Sequence, residues 1–188
     1  NVLRGAGFEI DERPGLGYRL LASPDRIIAD DLHARLGESR LVREIVVFAE
    51  TDSTNERLLA AGRAGAAHGL AMFAERQTAG RGRFGRKWES APHLGVWFSL
   101  LLRPGFPFAQ WPRLTTWAAV AVAAGYDQMG IDSAKVKRPN DILIDGRKVA
   151  GILLETGLDG RGEMFVVVAE GVNVNHAEFD FASEVASR

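Results

Sequence analysis

The sequence predicts an α+β fold, a mixed α/β sheet with helices packed on it, and three observations carry that prediction. Five apolar runs of strand length recur along the 188 residues: EIVVFAE, LAMFAERQ, GVWFSLLLR, RKVAGILLET and MFVVVAEGVNVN. Helical patterns lie between the earlier runs, whereas the last two are joined only by the Gly/Asp-rich GLDGRGE. With 46% apolar and 25% charged residues, the composition suits one soluble domain with a sizeable core.

Each element follows from local chemistry. The opening GFEIDERPGLGYRLL has two extended runs, at 8–10 and 18–21, around the turn-rich ERPGLG, and reads as a hairpin. A two-stranded hairpin is marginal alone and needs something to pack on. Residues 26–36 place Ile27, Ile28, Leu32 and Leu36 on one helical face, with Gly37 as the stop. Strand 44–50 runs into TDSTNE, where Ser53 and Glu56 form a capping-box pair opening a helix to about residue 64. Strand 70–77 leads into QTAGRGRFGRKW, strand 95–103 follows, and 112–129 reads as a mostly apolar helix. AKVKRPNDILID begins extended because Arg138 precedes a proline. Asp145-Gly146 marks a tight turn into the last two strands.

The composition also excludes classes of function. There is no cysteine, so thiolate metal sites, disulfide scaffolds and cysteine nucleophiles are out, and a cytoplasmic setting is the default. Lysine plus arginine number 23 against 24 acidic residues, so any basic site is local. No apolar run is long enough to span a bilayer, and no membrane association is expected. The chain starts without methionine and ends in the polar FASEVASR, which sets the expectation of a fragment at both ends.

GRGRFG, at 80–85, matches the spacing of a dinucleotide-binding turn. That turn must enter a helix and be followed by an acidic ribose ligand. Here RKWESAPHLG has no helical period and leads into another strand, and no Asp or Glu occurs from Ser90 to Tyr126. A Walker A loop fails as well, since Arg86 and Trp88 stand where Lys and Ser/Thr belong. The surviving readings are a solvated surface loop, or a flexible loop whose glycines bring amides, and Arg81, Arg83, Arg86 and Lys87 bring charge, to an anionic ligand.

Three further polar clusters lie at strand ends: TDSTNE (51–56), KRPNDILIDGRKVAGIL (137–153) and EGVNVN (170–175). Singly, each is as well explained by a cap, a turn or a strand end. Together with QTAGRGRFGRKW, in this order, they resemble the biotin protein ligases, including the bifunctional ligase-repressors, over roughly residues 24–176. The resemblance implies a class II aminoacyl-tRNA-synthetase-like biotin ligase catalytic core. It also implies two-step chemistry: biotin and ATP give biotinyl-5'-AMP, and biotin then passes to a lysine of the biotin carboxyl carrier protein domain of acetyl-CoA carboxylase.

Carried over by position, Ser53, Thr54, Asn55 and Gln77 would meet the biotin head, and Arg81, Gly82 and Arg83 would close over its carboxylate and the phosphate. Lys148 would hold the developing charge, making Arg81, Arg83 and Lys148 the catalytic cations, with Gly151 and Leu153 as pocket floor and Gly171 nearby. Arg83, Trp88, Asn140, Lys148 and Asn173 would serve the nucleotide, and Asp141 would hold Mg2+ or orient Lys148. Residues 1–22 would be the remnant of the wing of a winged helix-turn-helix domain and 23–188 the catalytic domain, without the family's C-terminal β-barrel. DNA binding would need the complete N-terminal domain, and a homodimer is an open expectation because family members often dimerise. The departures are Arg138, where the family has tryptophan, and Ala169 and Glu170, where it has glycine and a small or apolar residue. A biotin-sensing transcriptional repressor with weak or no ligase activity and a lipoate-type ligase are the alternatives.

Overall fold

A computed structural model describes residues 2–5 and 7–176; the rest of the expected catalytic domain, 177–188, lies outside the described residues. The chain runs α1 (Val2–Gly5), β1 (Glu9–Arg13), β2 (Gly17–Ala22), α2 (Ala29–Leu36), β3 (Glu44–Thr51), α3 (Thr54–Arg63), β4 (Leu70–Gln77), β5 (Gly95–Leu102), α4 (Arg113–Gln128), β6 (Lys135–Lys137), β7 (Asp141–Ile144), β8 (Arg147–Leu158) and β9 (Met164–Asn173). β1 and β2 form a separate antiparallel hairpin, and the other seven strands form one sheet in the order β3-β4-β5-β9-β8-β7-β6. Only β3 and β4 are parallel, joined by α3 as crossover; every other neighbouring pair is antiparallel.

Strand alternation divides the sheet between two apolar layers. On one face, Leu58 and Leu59 of α3 pack with Leu70, Leu101, Phe165 and Val167. On the other, Leu114, Ala119 and Tyr126 of α4 meet Leu100, Ile142, Ile152, Val166 and Val168, and Leu32 of α2 joins the same layer. Leu58, Leu101, Phe165 and Val167 are completely buried, each stabilising the fold by about 1.5–3 kcal/mol. Gly62 is required by close approach, because a Cβ there would stand 2.4 Å from the Phe165 ring. Among the described residues no helix is long and apolar enough to cross a membrane.

Two local expectations need correction. Helix α2 begins at Ala29 rather than 26, because the Ile27 amide is bonded to the Glu75 carboxylate on β4 and the preceding chain is drawn along the sheet. Ser53 does stand at the N-cap of α3 with extended geometry, but its side chain makes no capping bond. Gln77 accepts the first orphan N–H, from Thr54, at 2.8 Å, and Glu56 pairs with Arg81 instead of closing a capping box.

Candidate active site

The site begins where parallel pairing sets Thr51, the end of β3, opposite Gln77, the end of β4. Asp52 shapes the turn between β3 and α3: its Oδ1 accepts the Ser53 N–H and the Thr51 hydroxyl, both at 2.8 Å, and Arg57 Nε at 2.9 Å. The bond from the Ser53 amide, then that from Thr51, with Arg57 nearby, hold the Asp52 carboxyl below its ordinary pKa. Gln77 accepts from both the amide and the hydroxyl of Thr54 and donates to Ser90 Oγ at 2.9 Å, while Ser99 Oγ lies 2.8 Å from Thr54 Oγ1. The Gln77 amide is thus spent on holding the helix mouth. Asn55 contrasts with it: 2% exposed, it has no partner at either Oδ1 or Nδ2.

The glycine-arginine segment forms a folded-over loop. Trp88 N–H donates to the Gly80 carbonyl at 2.9 Å, Arg81 bridges to Lys87, and Gly82 N–H reaches the Arg86 carbonyl at 2.7 Å. At its tip Phe84 and Gly85 have φ of 58° and 72°, and Phe84 is 85% exposed. Arg81 lies between Glu56 of α3 and Glu155 of β8. Arg83 donates to Asn140 Oδ1 at 3.0 Å, and Asn140 in turn donates to the Ile152 carbonyl at 3.0 Å, so a side chain expected at the nucleotide braces an arginine.

Gly151 and Gly171 face each other across β8 and β9 and make a bare floor. Trp88 rests on it: a Cβ on Gly171 would lie 2.4 Å from the indole, and one on Gly151 3.0 Å. The indole meets Trp97 edge-on at 6.4 Å, its buried N–H has no partner, and Lys148 Nζ sits 5.2 Å from the ring centroid. Lys148 also pairs with Asp141 at 2.7 Å. Ser53, Thr54, Asn55, Gln77, Arg81, Gly82, Arg83, Trp88, Asn140, Lys148, Gly151, Leu153 and Gly171 all line one cavity, and Ala169 adds its methyl to the wall. With Trp88 seated, about 40 Å³ is free.

Two expected residues lie off the cavity lining. Asn173 sits past the floor, where its carbonyl accepts the Tyr126 hydroxyl at 3.1 Å. Asp141 is a lone carboxylate beside Lys148, and the described residues hold no cluster of three or more metal-binding side chains. Sequence reasoning missed Ser90 and Ser99, which complete the Gln77-Thr54 network, and the two glutamates on Arg81. The signal for Ser99 was available: a lone hydroxyl inside the apolar run GVWFSLLL needs a buried partner. Glu170 also borders the cavity; it stands between Phe98 and Ile152 in register, strand alternation turns its side chain away from the Gly171 floor, and burial pushes its carboxyl up to about 7.

The comparison with known proteins joins this geometry to a family. The model of the biotin/lipoate A/B protein ligase family matches residues 47–173, from within β3 to the end of β9, spanning every cavity-lining residue named above. The chain belongs to that family. It is 35% identical over 183 residues to the bifunctional ligase/repressor BirA of Bacillus subtilis (strain 168), covering 97% of this chain and 56% of that one. It is 36% identical over 158 residues to the biotin--[acetyl-CoA-carboxylase] ligase of Mycobacterium tuberculosis (strain ATCC 25618 / H37Rv), covering 81% and 56%. The chain spans about half the length of these curated relatives. Among solved structures, the biotin protein ligase from Aquifex aeolicus in complex with biotin and ATP matches with a TM-score of 0.61 and 32% identity, over 78% of this chain and 58% of that one. The shared fold is the mixed α/β biotin ligase catalytic core.

Proposed function

We propose that this chain carries the catalytic site of a biotin protein ligase, which activates biotin with ATP and transfers it to a lysine of the biotin carboxyl carrier protein domain of acetyl-CoA carboxylase. The observation that carries the reading is Asn55. A buried amide with both its donor and its acceptor unpaired costs about 1–3 kcal/mol unless a ligand completes it. A ureido ring, with one carbonyl and two N–H groups, is complementary to such an amide beside the Ser53 and Thr54 hydroxyls. The Aquifex relative, solved with biotin and ATP, supports the same choice of substrates.

In the first step a biotin carboxylate oxygen attacks the α-phosphorus of ATP, the bond to the pyrophosphate oxygen breaks, and biotinyl-5'-AMP forms. Two anions meet, so their charge must be offset before in-line attack. Arg83, steadied by Asn140, and Lys148, steadied by Asp141, both line the cavity and are the cations this reading assigns to that junction. In the second step the carrier lysine amine attacks the acyl carbon, AMP leaves with the bonding pair, and the amine gives up its proton. Gly151 and Gly171 let the acyl chain and phosphate lie directly on the strands, and the 80–88 loop excludes water from the mixed anhydride.

Mg2+ fits this donor set: it takes most ligands from water and substrate phosphates and needs only one or two carboxylates, of which Asp141 is the candidate. When bound it would neutralise phosphate charge. Consumption of ATP suits the cytoplasmic setting expected from the cysteine-free sequence.

The test is incubation with biotin and ATP-Mg2+ followed by native mass spectrometry, with lipoate as a parallel arm. Retained biotinyl-5'-AMP is the expected result. Retention of lipoyl-AMP alone would overturn the reading in favour of a lipoate-type ligase. The hairpin favours a regulatory role beside catalysis, since it stands as its own two-stranded sheet with Leu16, Tyr18, Leu20 and Leu21 exposed, as the wing of a winged helix-turn-helix would. Biotin-dependent operator binding by a longer chain with the whole N-terminal domain would establish that role. Its absence would leave catalysis as the sole function.

A further inference from the structure

The resemblance makes Arg81 an anion ligand, yet its guanidinium is already engaged twice. Glu56 on the first turn of α3 pairs with it from one side, and Glu155 on β8 accepts Nη2 at 3.2 Å from the other. Glu155 projects from the same face of β8 as Gly151 and Leu153, and Arg81, which lines the cavity, ties both carboxylates to its edge although neither lines it. One positive charge between two negative ones leaves the cluster with a surplus negative charge. Arg81 is therefore less available to a third anion than a cation with a single partner. Arg83, by contrast, is held by a neutral amide, and Lys148 has a single carboxylate partner among the ion pairs of the described residues.

We propose that Glu56 and Glu155 are positioning residues that strap the 80–88 loop across the cavity through Arg81. On this assignment Arg81 sets how long the loop stays closed, while Arg83 and Lys148 meet the ligand's charge. The strap ties the loop to α3 and β8, the two elements that carry Asn55 and Gly151, so the loop closes against the walls of the site. The consequence for the reaction rests on the ligase reading: a weaker strap releases the adenylate sooner without slowing its formation.

Two measurements on Glu56→Gln, Glu155→Gln and the double variant test this. Hydrogen exchange of the loop amides is followed in the ligand-free protein at low and high NaCl. Each single variant should exchange about 3-fold faster and the double about 10-fold faster, as expected for two partly exposed ion pairs. Added salt should speed exchange in the unsubstituted protein and leave the double variant unchanged. A loop that merely packs would show no such salt dependence. Equal exchange in the unsubstituted and double-variant proteins overturns the strap. The second measurement is adenylate release after a single turnover, expected to quicken by the same factors with the rate of formation held within about two-fold. Slower formation with unchanged release would also overturn it. If the unsubstituted protein makes no adenylate, the ligase reading falls, and the exchange comparison still decides the strap.

Discussion

Glu170→Gln should stabilise the protein at alkaline pH and do nothing for it in acid. The carboxyl stands between Phe98 and Ile152 on the α4 side of the sheet, and burial raises its pKa from 4.5 to about 7. Below pH 4.5 folded and unfolded chains both hold the proton, so the group is neutral to stability. Between 4.5 and about 7 the unfolded chain releases the proton while the folded one retains it, so stability falls as pH rises. Above about 7 both are ionised and the full loss is in place. A shift of about 2.5 units corresponds to roughly 3 kcal/mol, an upper limit because side-chain rearrangement toward water reduces it. For a chain of this size that is about 6–12 °C in Tm. Thermal unfolding of both proteins from pH 4.5 to 9 reads it directly: coincident curves at the acid end, with the variant's advantage growing through the window and levelling off above about 7. Carboxylates with lowered pKa values, such as Asp52, are common to both proteins and cancel in the difference. A difference in Tm that is the same at every pH would refute the reasoning.

Other substitutions separate fold from function. Lys148→Ala should abolish adenylate formation in single-turnover assays while shifting Tm little, since its partner Asp141 is partly exposed. Asn55→Leu should eliminate biotin binding by calorimetry and raise stability by about 1 kcal/mol, because it removes an unpaired buried amide of similar volume. Gly171→Ala puts a methyl on the floor where the ligand would lie and should weaken biotin and adenylate binding at least about 10-fold in calorimetry, although it also crowds the Trp88 indole at 2.4 Å. Gly62→Ala makes an equally close contact with Phe165, far from the cavity, and should cost about 1–3 kcal/mol in denaturant titration with affinity unchanged.

The strands and long helices were legible because alternation and the helical repeat are local properties of sequence, as with GVWFSLLLR for β5 and the apolar stretch behind α4. The site clusters were legible because each polar group sits at the end of such a strand. What was not legible depends on contacts between distant segments. Ser53 and Glu56 satisfy the spacing of a capping box, yet Ser53 makes no cap bond, Gln77, 23 residues beyond Thr54, takes the Thr54 N–H instead, and Arg81 takes the glutamate. Asn140 carries no local sign that it braces Arg83, 57 residues away. The start of α2 was misplaced for the same reason, since Ile28 is extended at the N-cap and Glu75, 48 residues beyond Ile27, ties the preceding chain to β4.

The seat of Trp88 on the glycine floor bears on kinetics. With about 40 Å³ free, the cavity holds a few waters at most, and on the ligase reading the indole stands where the acyl-adenylate would lie. On the ligase reading, Trp88 and the ligand compete for the same floor, and the observed affinity would be the intrinsic one scaled by the fraction of molecules with the indole displaced. Association should then saturate with biotin concentration at the rate of ring displacement, and the tryptophan fluorescence that is lost in a Trp88→Phe variant would follow that step as it happens.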